Sequence, residues 1–302
     1  MMKTKRGIAM GFNWIFALVV GSIILVLAIY GATKFVSTGE RVGQSENAAV
    51  IVSVLDSVEA GLGDGKSSEI NFRKDVEIML DCDELSNRPF GKQSLQIGDG
   101  IGAEIKNKYV FSEQVINGKD VYVFSKPFYL GYKVADIIIL STEEYCFVDI
   151  DNEIKYELMD LNSGNVKFAE YIDECSENSL SVCSSDNCDV QIIGDYNFGK
   201  VIRGSSEIYY TGNLLFGAVF SSPYIYECNV KRLANKFDEL ALIYKEKISR
   251  VEDKGCSSDI DVSLDLARSV EINSSKDLIL LSEILKNINE LNAGQEDGCE
   301  IW

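Results

Sequence analysis

The chain has 302 residues, 46 % of them hydrophobic, which is enough for about two modest domains with buried cores and excludes global disorder. Its 47 acidic and 29 basic residues give a formal charge of −18, unevenly placed: the first 39 residues hold Lys3, Lys5, Arg6 and Lys34 and no acid, so the remainder sets 47 acids against 25 bases. A region that acidic repels phosphate backbones and anionic lipid heads, which excludes nucleic acid as a partner and favours cations, basic partners or a simply solvated surface.

Residues 1–9 form a basic leader, and Gly7 to Thr33 carries no charge at all. The apolar core from Phe12 to Ala32 has 21 residues, about 31 Å as a helix at 1.5 Å per residue, which matches a hydrocarbon layer of about 30 Å. Trp14 and Tyr30 stand near the two ends, where amphipathic rings favour the interface. Residues 10–33 are therefore expected to cross the membrane and contact lipid, with Lys3, Lys5 and Arg6 kept in the cytoplasm and the remainder outside. A cleaved secretory signal is the rival reading; its best site, Val26-Leu27-Ala28, lies inside the apolar run.

Residues 34–65 read as a stalk. Ala48, Ile51, Val52, Leu55 and Val58 recur at three- and four-residue steps as one apolar stripe, and Gly61-Leu62-Gly63-Asp64-Gly65 ends the helix. Residues 66–210 read as an antiparallel β domain, a sandwich or small barrel, with strands at Glu69–Phe72, Val76–Leu80, Tyr109–Ile116, Asp120–Ser125, Asp136–Ser141, Tyr145–Ile150 and Ile154–Met159. Asn117-Gly118 predicts a two-residue hairpin turn, and Asp151-Asn152 a second turn before the strand at 154–159. No α/β alternation is evident. Residues 173–189 form a polar, Cys-rich loop, and Val190–Ile193 and Glu207–Tyr210 extend the sheet.

Residues 211–302 read as a helical hairpin or bundle. Val230, Leu233, Phe237, Leu240, Tyr244 and Ile248 define one seam; Leu278, Leu281, Leu285, Ile288 and Leu291 define another, with Ser275 as N-cap and Gly294 as stop. Ile260–Glu271 fits a strand or a helix. The aromatics Tyr209, Tyr210, Phe216, Phe220, Tyr224 and Tyr226 are expected to pack sheet against helices rather than form a binding patch. The fold class is thus α+β behind a transmembrane helix.

All eight cysteines, Cys82, Cys146, Cys175, Cys183, Cys188, Cys228, Cys256 and Cys299, lie beyond the apolar segment, and in an extracytoplasmic setting an even number reads as disulfides. Eight cysteines allow 105 pairings. Cys256 and Cys299 follow the ends of the two seams and are expected to pair, with Cys82–Cys146 as the next pair. Asn273-Ser274-Ser275 is a glycosylation sequon, which makes Asn273 a candidate for modification.

There is no histidine, which removes Ser-His-Asp and Cys-His catalysis and His-ligated zinc. Phosphate-binding Gly-rich loops and the G-x-S-x-G elbow are also missing. The carboxylates Asp149, Asp151 and Glu153, and Asp81 and Asp83 beside Cys82, leave calcium binding or glycoside hydrolysis as the remaining chemistries. Turn formation explains the first group equally well. No catalytic residue, cofactor or metal site is therefore assigned.

Arg6-Gly7-Ile8-Ala9 ahead of the apolar helix resembles the processing site of archaeal type IV pilin precursors, in which the cut follows the basic-Gly pair; the next residues, Ile8 to Phe12, hold no glutamate, where pilins usually carry one. Met10-Gly-Phe-Asn-Trp-Ile-Phe16, Tyr210-Thr-Gly212, Gly217-Ala-Val-Phe-Ser221 and Tyr226-Glu-Cys-Asn229 resemble uncharacterised membrane-anchored surface proteins of small-genome archaea. That resemblance implies the anchored architecture and carries no activity. The expected role is a non-enzymatic binding or scaffolding component of the cell surface, engaging an extracytoplasmic protein or glycan; the alternatives are a pilin-like filament subunit and a carboxylate-based surface hydrolase.

Overall fold

The computed structural model describes residues 12–61, 67–84, 90–253, 260–293 and 301–302. The basic leader, Cys256, Cys299 with their expected pairing, and the Gly294 stop lie outside the described residues. Helix α1, Phe12–Gly61, is one unbroken 50-residue helix. Within it, Phe16–Lys34 is long and apolar enough to cross a membrane, and none of that stretch is buried against the protein. Further along, Ala48, Ile51 and Leu55 are fully buried and Val52 partly, so the stripe read from the sequence is the docking face.

That face packs on the first of two six-stranded sheets, with strand order β3-β2-β1-β5-β6-β4. Its strands are β1 Ser67–Asp83, β2 Lys92–Ile97, β3 Ala103–Ile105, β4 Tyr109–Phe111, β5 Val115–Leu130 and β6 Tyr132–Ser141. All neighbours are antiparallel except β4 and β6. Asn117-Gly118 is not a hairpin turn: both lie inside β5, opposite Glu77 and Val76 of β1, next to a bulge between Asn71 and Val76. Ile116 and Val121 are five residues apart, which in a regular strand would place them on opposite faces, yet both are buried in the same cluster with α1. The turn-prone pair thus sits beside the irregularity that restores the phase of the hydrophobic face.

The second sheet has order β12-β11-β10-β9-β7-β8, with β7 Tyr145–Val148, β8 Val166–Ala169, β9 Leu180–Cys183, β10 Val190–Gly194, β11 Phe198–Arg203 and β12 Ser206–Thr211. Strands β8, β7, β9 and β10 are parallel, and β10, β11 and β12 are antiparallel. The expectation of a purely antiparallel domain is corrected here: both sheets are mixed. The strand expected at 154–159 is helix α2, Asn152–Leu161, which makes β7-α2-β8 a βαβ crossover. Asp151 caps it, accepting from the backbone N–H of Glu153 (2.8 Å) and Ile154 (3.4 Å), while Ile154, Leu158 and Leu161 point inward at helical spacing. Asp151-Asn152 therefore starts a helix instead of turning a hairpin.

Four helices follow: α3 Leu214–Phe220, α4 Pro223–Glu252, α5 Ile260–Arg268 and α6 Leu278–Ala293. The two expected seams face inward except at Leu291, which is exposed at the end of α6, and α5 resolves the ambiguous segment as helix, with Ile260, Leu264 and Ala267 buried and Val262 and Leu266 exposed. The main core draws on both sheets and on α2 to α6, and a second cluster joins α1, the first sheet and the start of α4. Gly217 of α3 lies so close to Phe111 that a Cβ there would stand 2.6 Å from the ring. Ahead of α6 the capping box is formed by Ser274 and Asp277. Ser275, the expected cap, is buried and instead donates its hydroxyl to Glu227 (2.6 Å).

Three disulfides are formed among the described residues. Cys82–Cys228 ties β1 to α4, Cys146–Cys175 ties β7 to the segment after β8, and Cys183–Cys188 closes the β9–β10 loop. The expected Cys82–Cys146 pair is not made, because the two strands belong to different sheets and their cysteines pack in separate clusters.

Beside the Cys82–Cys228 tie, α4 places Arg232 in the interior, 1 % exposed. Its guanidinium donates to the Phe90 and Lys108 carbonyls (2.7 and 3.0 Å), to Gln93 Oε1 (2.9 Å) and to Asn229 Oδ1 (2.7 Å), and lies 4.8 Å from the centre of the Tyr109 ring. Gln93 and Asn229 in turn bond the backbone of Val110. Burial lowers the Arg232 pKa to about 10, so the group stays charged at neutral pH. Gly91 beneath it has φ +63, and a Cβ there would stand 2.6 Å from the Asp83 carbonyl; only glycine fits.

Arg232→Ala should lower stability by about 3–5 kcal/mol, since the Phe90 and Lys108 carbonyls and Asn229 Oδ1 lose the guanidinium as donor and Gln93 Oε1 keeps only the Val110 N–H. Arg232→Lys should recover only part of this, because one ammonium does not reproduce the fork. Chemical denaturation of the full chain in lipid nanodiscs measures both. In the loop-entropy picture, removing Cys82–Cys228, with a sequence separation of 146, should cost about 5 kcal/mol, and removing Cys183–Cys188, with a separation of 5, about 2 kcal/mol. The same denaturation curves give that order, and a reversed order would contradict it.

Candidate functional site at the carboxyl ends of the parallel strands

Crevices beyond the carboxyl ends of parallel strands, next to the helix that links them, are where α/β units bind ligands. The β7-α2-β8 unit has such a crevice. The chain leaves β7 at Val148, and Asp149 takes a left-handed backbone with φ 48, which non-glycine residues other than Asn and Asp seldom adopt. This bend carries the chain to the Asp151 cap and into α2. Strand β8 ends at Ala169, and Glu170 and Tyr171 form the opposite wall.

Between the two walls is an open cleft of about 550 Å³. Phe147 and Phe168 supply aromatic floor, and Asp149, Asn152, Lys155 and Glu170 supply polar groups. Lys155 Nζ lies 5.7 Å from the centre of the Phe168 ring, within cation–π range. Tyr171 stands at the rim, 61 % exposed. Its backbone is held from below: the Glu174 carboxylate accepts from the N–H of Glu170 (2.9 Å) and of Tyr171 (3.4 Å), and Cys175 is bonded to Cys146 of β7. The positive end of α2 is already answered by Asp151 and by Glu153 in the first turn. No serine, threonine or cysteine is among the described residues that line the cleft; its ionisable side chains are Asp149, Lys155, Glu170 and Tyr171. Its aromatic and polar walls give the arrangement the elements of a binding surface.

The residues singled out from the sequence fall elsewhere, with one exception. Phe12 begins α1, and Trp14 and Tyr30 are exposed on it. Of the acidic trio, Asp149 lines the cleft, Asp151 is the cap and Glu153 lies in the first turn of α2, so their carboxylates do not form one group. Asp81 accepts from the Tyr224 hydroxyl (3.3 Å). Among the described residues no three His, Cys, Asp or Glu side chains converge on a possible metal position. Tyr210, Phe216, Phe220 and Tyr226 are core, as expected, whereas Tyr224 is 47 % exposed. Asn273 is exposed, but the sequon's third residue, Ser275, is buried with its hydroxyl between Glu227 and the Tyr209 N–H. Sequence analysis gives no sign of Phe168, Lys155, Glu170 and Tyr171, because residues 154–159 read as a strand where the structure has α2. The signal that would have found them is the capping Asp151 followed by Ile154, Leu158 and Leu161.

Near the cleft, β9 and β10 are parallel neighbours joined by only six residues, Ser184 to Asp189, where a parallel crossover ordinarily needs a dozen or more. Two devices hold this short return. One is the Cys183–Cys188 bond. The other is Asp189, whose carboxylate accepts from Ser181 Oγ (2.6 Å) and Ser181 N (2.8 Å), while Ser181 Oγ accepts from the Asp189 N–H (3.0 Å). The Ser181 hydroxyl, and then its backbone N–H, hold the Asp189 carboxyl below its ordinary pKa.

A carboxyl depressed by folding contributes stability that is present above its unfolded pKa and lost as pH falls through the folded one. Asp189→Asn should therefore lower the melting temperature at neutral pH and flatten the acid-side loss below about pH 4. Melting curves across that range check it. An unchanged acid limb would contradict the assignment.

No protein-family model matches the sequence, and neither the curated proteins nor the solved structures gave a match.

Proposed function

We propose that this chain is an extracytoplasmic protein anchored by α1, with residues 1–9 in the cytoplasm, and that it serves as a non-enzymatic binding or scaffolding component of the cell surface. The observation that carries this reading is α1 itself. Its apolar Phe16–Lys34 stretch finds no cover in the protein, yet it continues without a break into the stripe buried on the first sheet. A bilayer supplies the missing cover. Lys3, Lys5 and Arg6 ahead of the stretch support the orientation. The three disulfides support an oxidising compartment for the head. The cleft beside α2 is the locus proposed for binding. The resemblance to membrane-anchored archaeal surface proteins agrees with this architecture.

The same observation gives a second reading some weight. A helix that protrudes with its apolar half and docks with its other half suits a pilin-like subunit whose protruding halves pack together in a filament. N-terminal sequencing of the native protein separates the readings. The anchored protein keeps Lys3 to Arg6, a filament subunit starts after Gly7, and a start at Ile29 would mean a cleaved signal.

Protease added to intact cells should degrade the head and leave a membrane-protected fragment containing residues 1–33. Alkylation without reductant should leave Cys82, Cys146, Cys175, Cys183, Cys188 and Cys228 unmodified. A head that resists protease until the cells are opened would sink the proposal.

A further inference from the structure

We infer that the cleft between the carboxyl ends of β7 and β8 is a saccharide site, with Tyr171 as the stacking platform and Asp149, Asn152, Lys155 and Glu170 as hydroxyl-binding groups. The inference rests on the binding role proposed above and names its ligand class.

An exposed aromatic ring costs solubility in an otherwise acidic head, and a ring on a loose loop would lose entropy on binding. Tyr171 is exposed but not loose. Glu174 fixes the two backbone N–H groups at its base, and the Cys146–Cys175 bond ties the chain four residues further on to β7. The backbone that carries the ring is thus held before any ligand arrives, which lowers the entropy lost on stacking. The apolar C–H face of a pyranose ring packs on such a ring, leaving its equatorial hydroxyls pointing sideways.

Each sugar hydroxyl both donates and accepts. The cleft offers acceptors in Asp149 and Glu170, donors in Lys155, and both in Asn152. Planar carboxylate and amide groups suit adjacent hydroxyl pairs.

Other ligand chemistries fit less well. A phosphate or nucleotide would face two carboxylates at a helix N-terminus whose amide donors are already taken by Asp151. A lipid tail or apolar peptide would strip water from Asp149, Lys155 and Glu170 without replacing it. A neutral polyhydroxylated ring answers both the aromatic and the polar walls.

The test uses the full chain in lipid nanodiscs, since sugar-headed detergents would compete for such a site. Labelled nanodiscs are applied to an array of immobilised neutral and N-acetylated glycans, and positives are titrated with the free oligosaccharide. Binding to at least one glycan is expected. It should fall at least tenfold in Tyr171→Ala and in Asp149→Asn, and Tyr171→Phe should retain most of it. Asparagine accepts the left-handed backbone at position 149, and Tyr171 is exposed, so unchanged melting temperatures would separate lost contacts from lost fold. No glycan bound, wild-type affinity in both variants, or occupation of the cleft by a peptide instead would overturn the assignment. A head that is protease-accessible on cells yet binds no glycan loses this inference and keeps its anchoring. Glycan binding by a head that is protected on cells keeps the inference and removes the topology.

Discussion

One helix joins two unlike stretches. From Phe16 to Lys34, α1 is apolar and exposed, and by length and composition it could cross a bilayer. From Ala48 to Leu55 it is apolar on one side and buried on that side alone, the pattern of a helix lying on a sheet. Because the two stretches belong to one helix, the orientation of the head relative to the apolar stretch is set by helix geometry and not by a linker. The β2–β3 turn reinforces this, with the Ile101 N–H donating to Ser45 Oγ at 2.8 Å.

Cys82–Cys228 and the Arg232 network both join α4 to the sheet on which α1 lies. Tyr132 extends the connection: its hydroxyl donates to the Phe237 carbonyl (2.9 Å), and its ring packs on Phe237, Tyr244 and Trp302. A buried guanidinium with four acceptors and no carboxylate is an uncommon choice. It suits a junction where several strand ends and a helix must meet in one register, because each carbonyl can reach the fork from only one direction. The second sheet is tied differently. Its two disulfides brace the short β9–β10 return and the Tyr171 rim, which are the irregular parts of a mixed sheet and the parts nearest the cleft.

What the sequence disclosed followed the range of the forces involved. The apolar segment, the α1 stripe and the seams on α4 and α6 are patterns that one element displays by itself, and apart from Leu291 at the end of α6 their described members stand where the pattern puts them. The strands at Val190 and Glu207 were also legible from their composition. Asn117-Gly118 misled because its local turn preference is opposed by the long β1–β5 pairing, visible only once both strands are aligned. Asp151-Asn152 misled because the same side-chain chemistry turns a hairpin or caps a helix, and the spacing of Ile154, Leu158 and Leu161 decides between them. Disulfide partners were illegible for a simpler reason: Cys82 and Cys228 are 146 residues apart, and nothing local to either marks the other. The cleft combines all three difficulties, since it needs the helix, the parallel pairing and the Cys146–Cys175 tie to exist at all.

The proposed anchoring depends on the continuity of α1 from its apolar stretch into the head. Nitroxides at Ile29 and Val50, both exposed on α1, are 21 residues apart, which places their Cα atoms about 31 Å apart on a continuous helix. Pulsed electron–electron double resonance on the full chain in lipid nanodiscs should return a single narrow distribution near that separation. A broad distribution, or one centred well below it, would mean that the helix breaks between anchor and head.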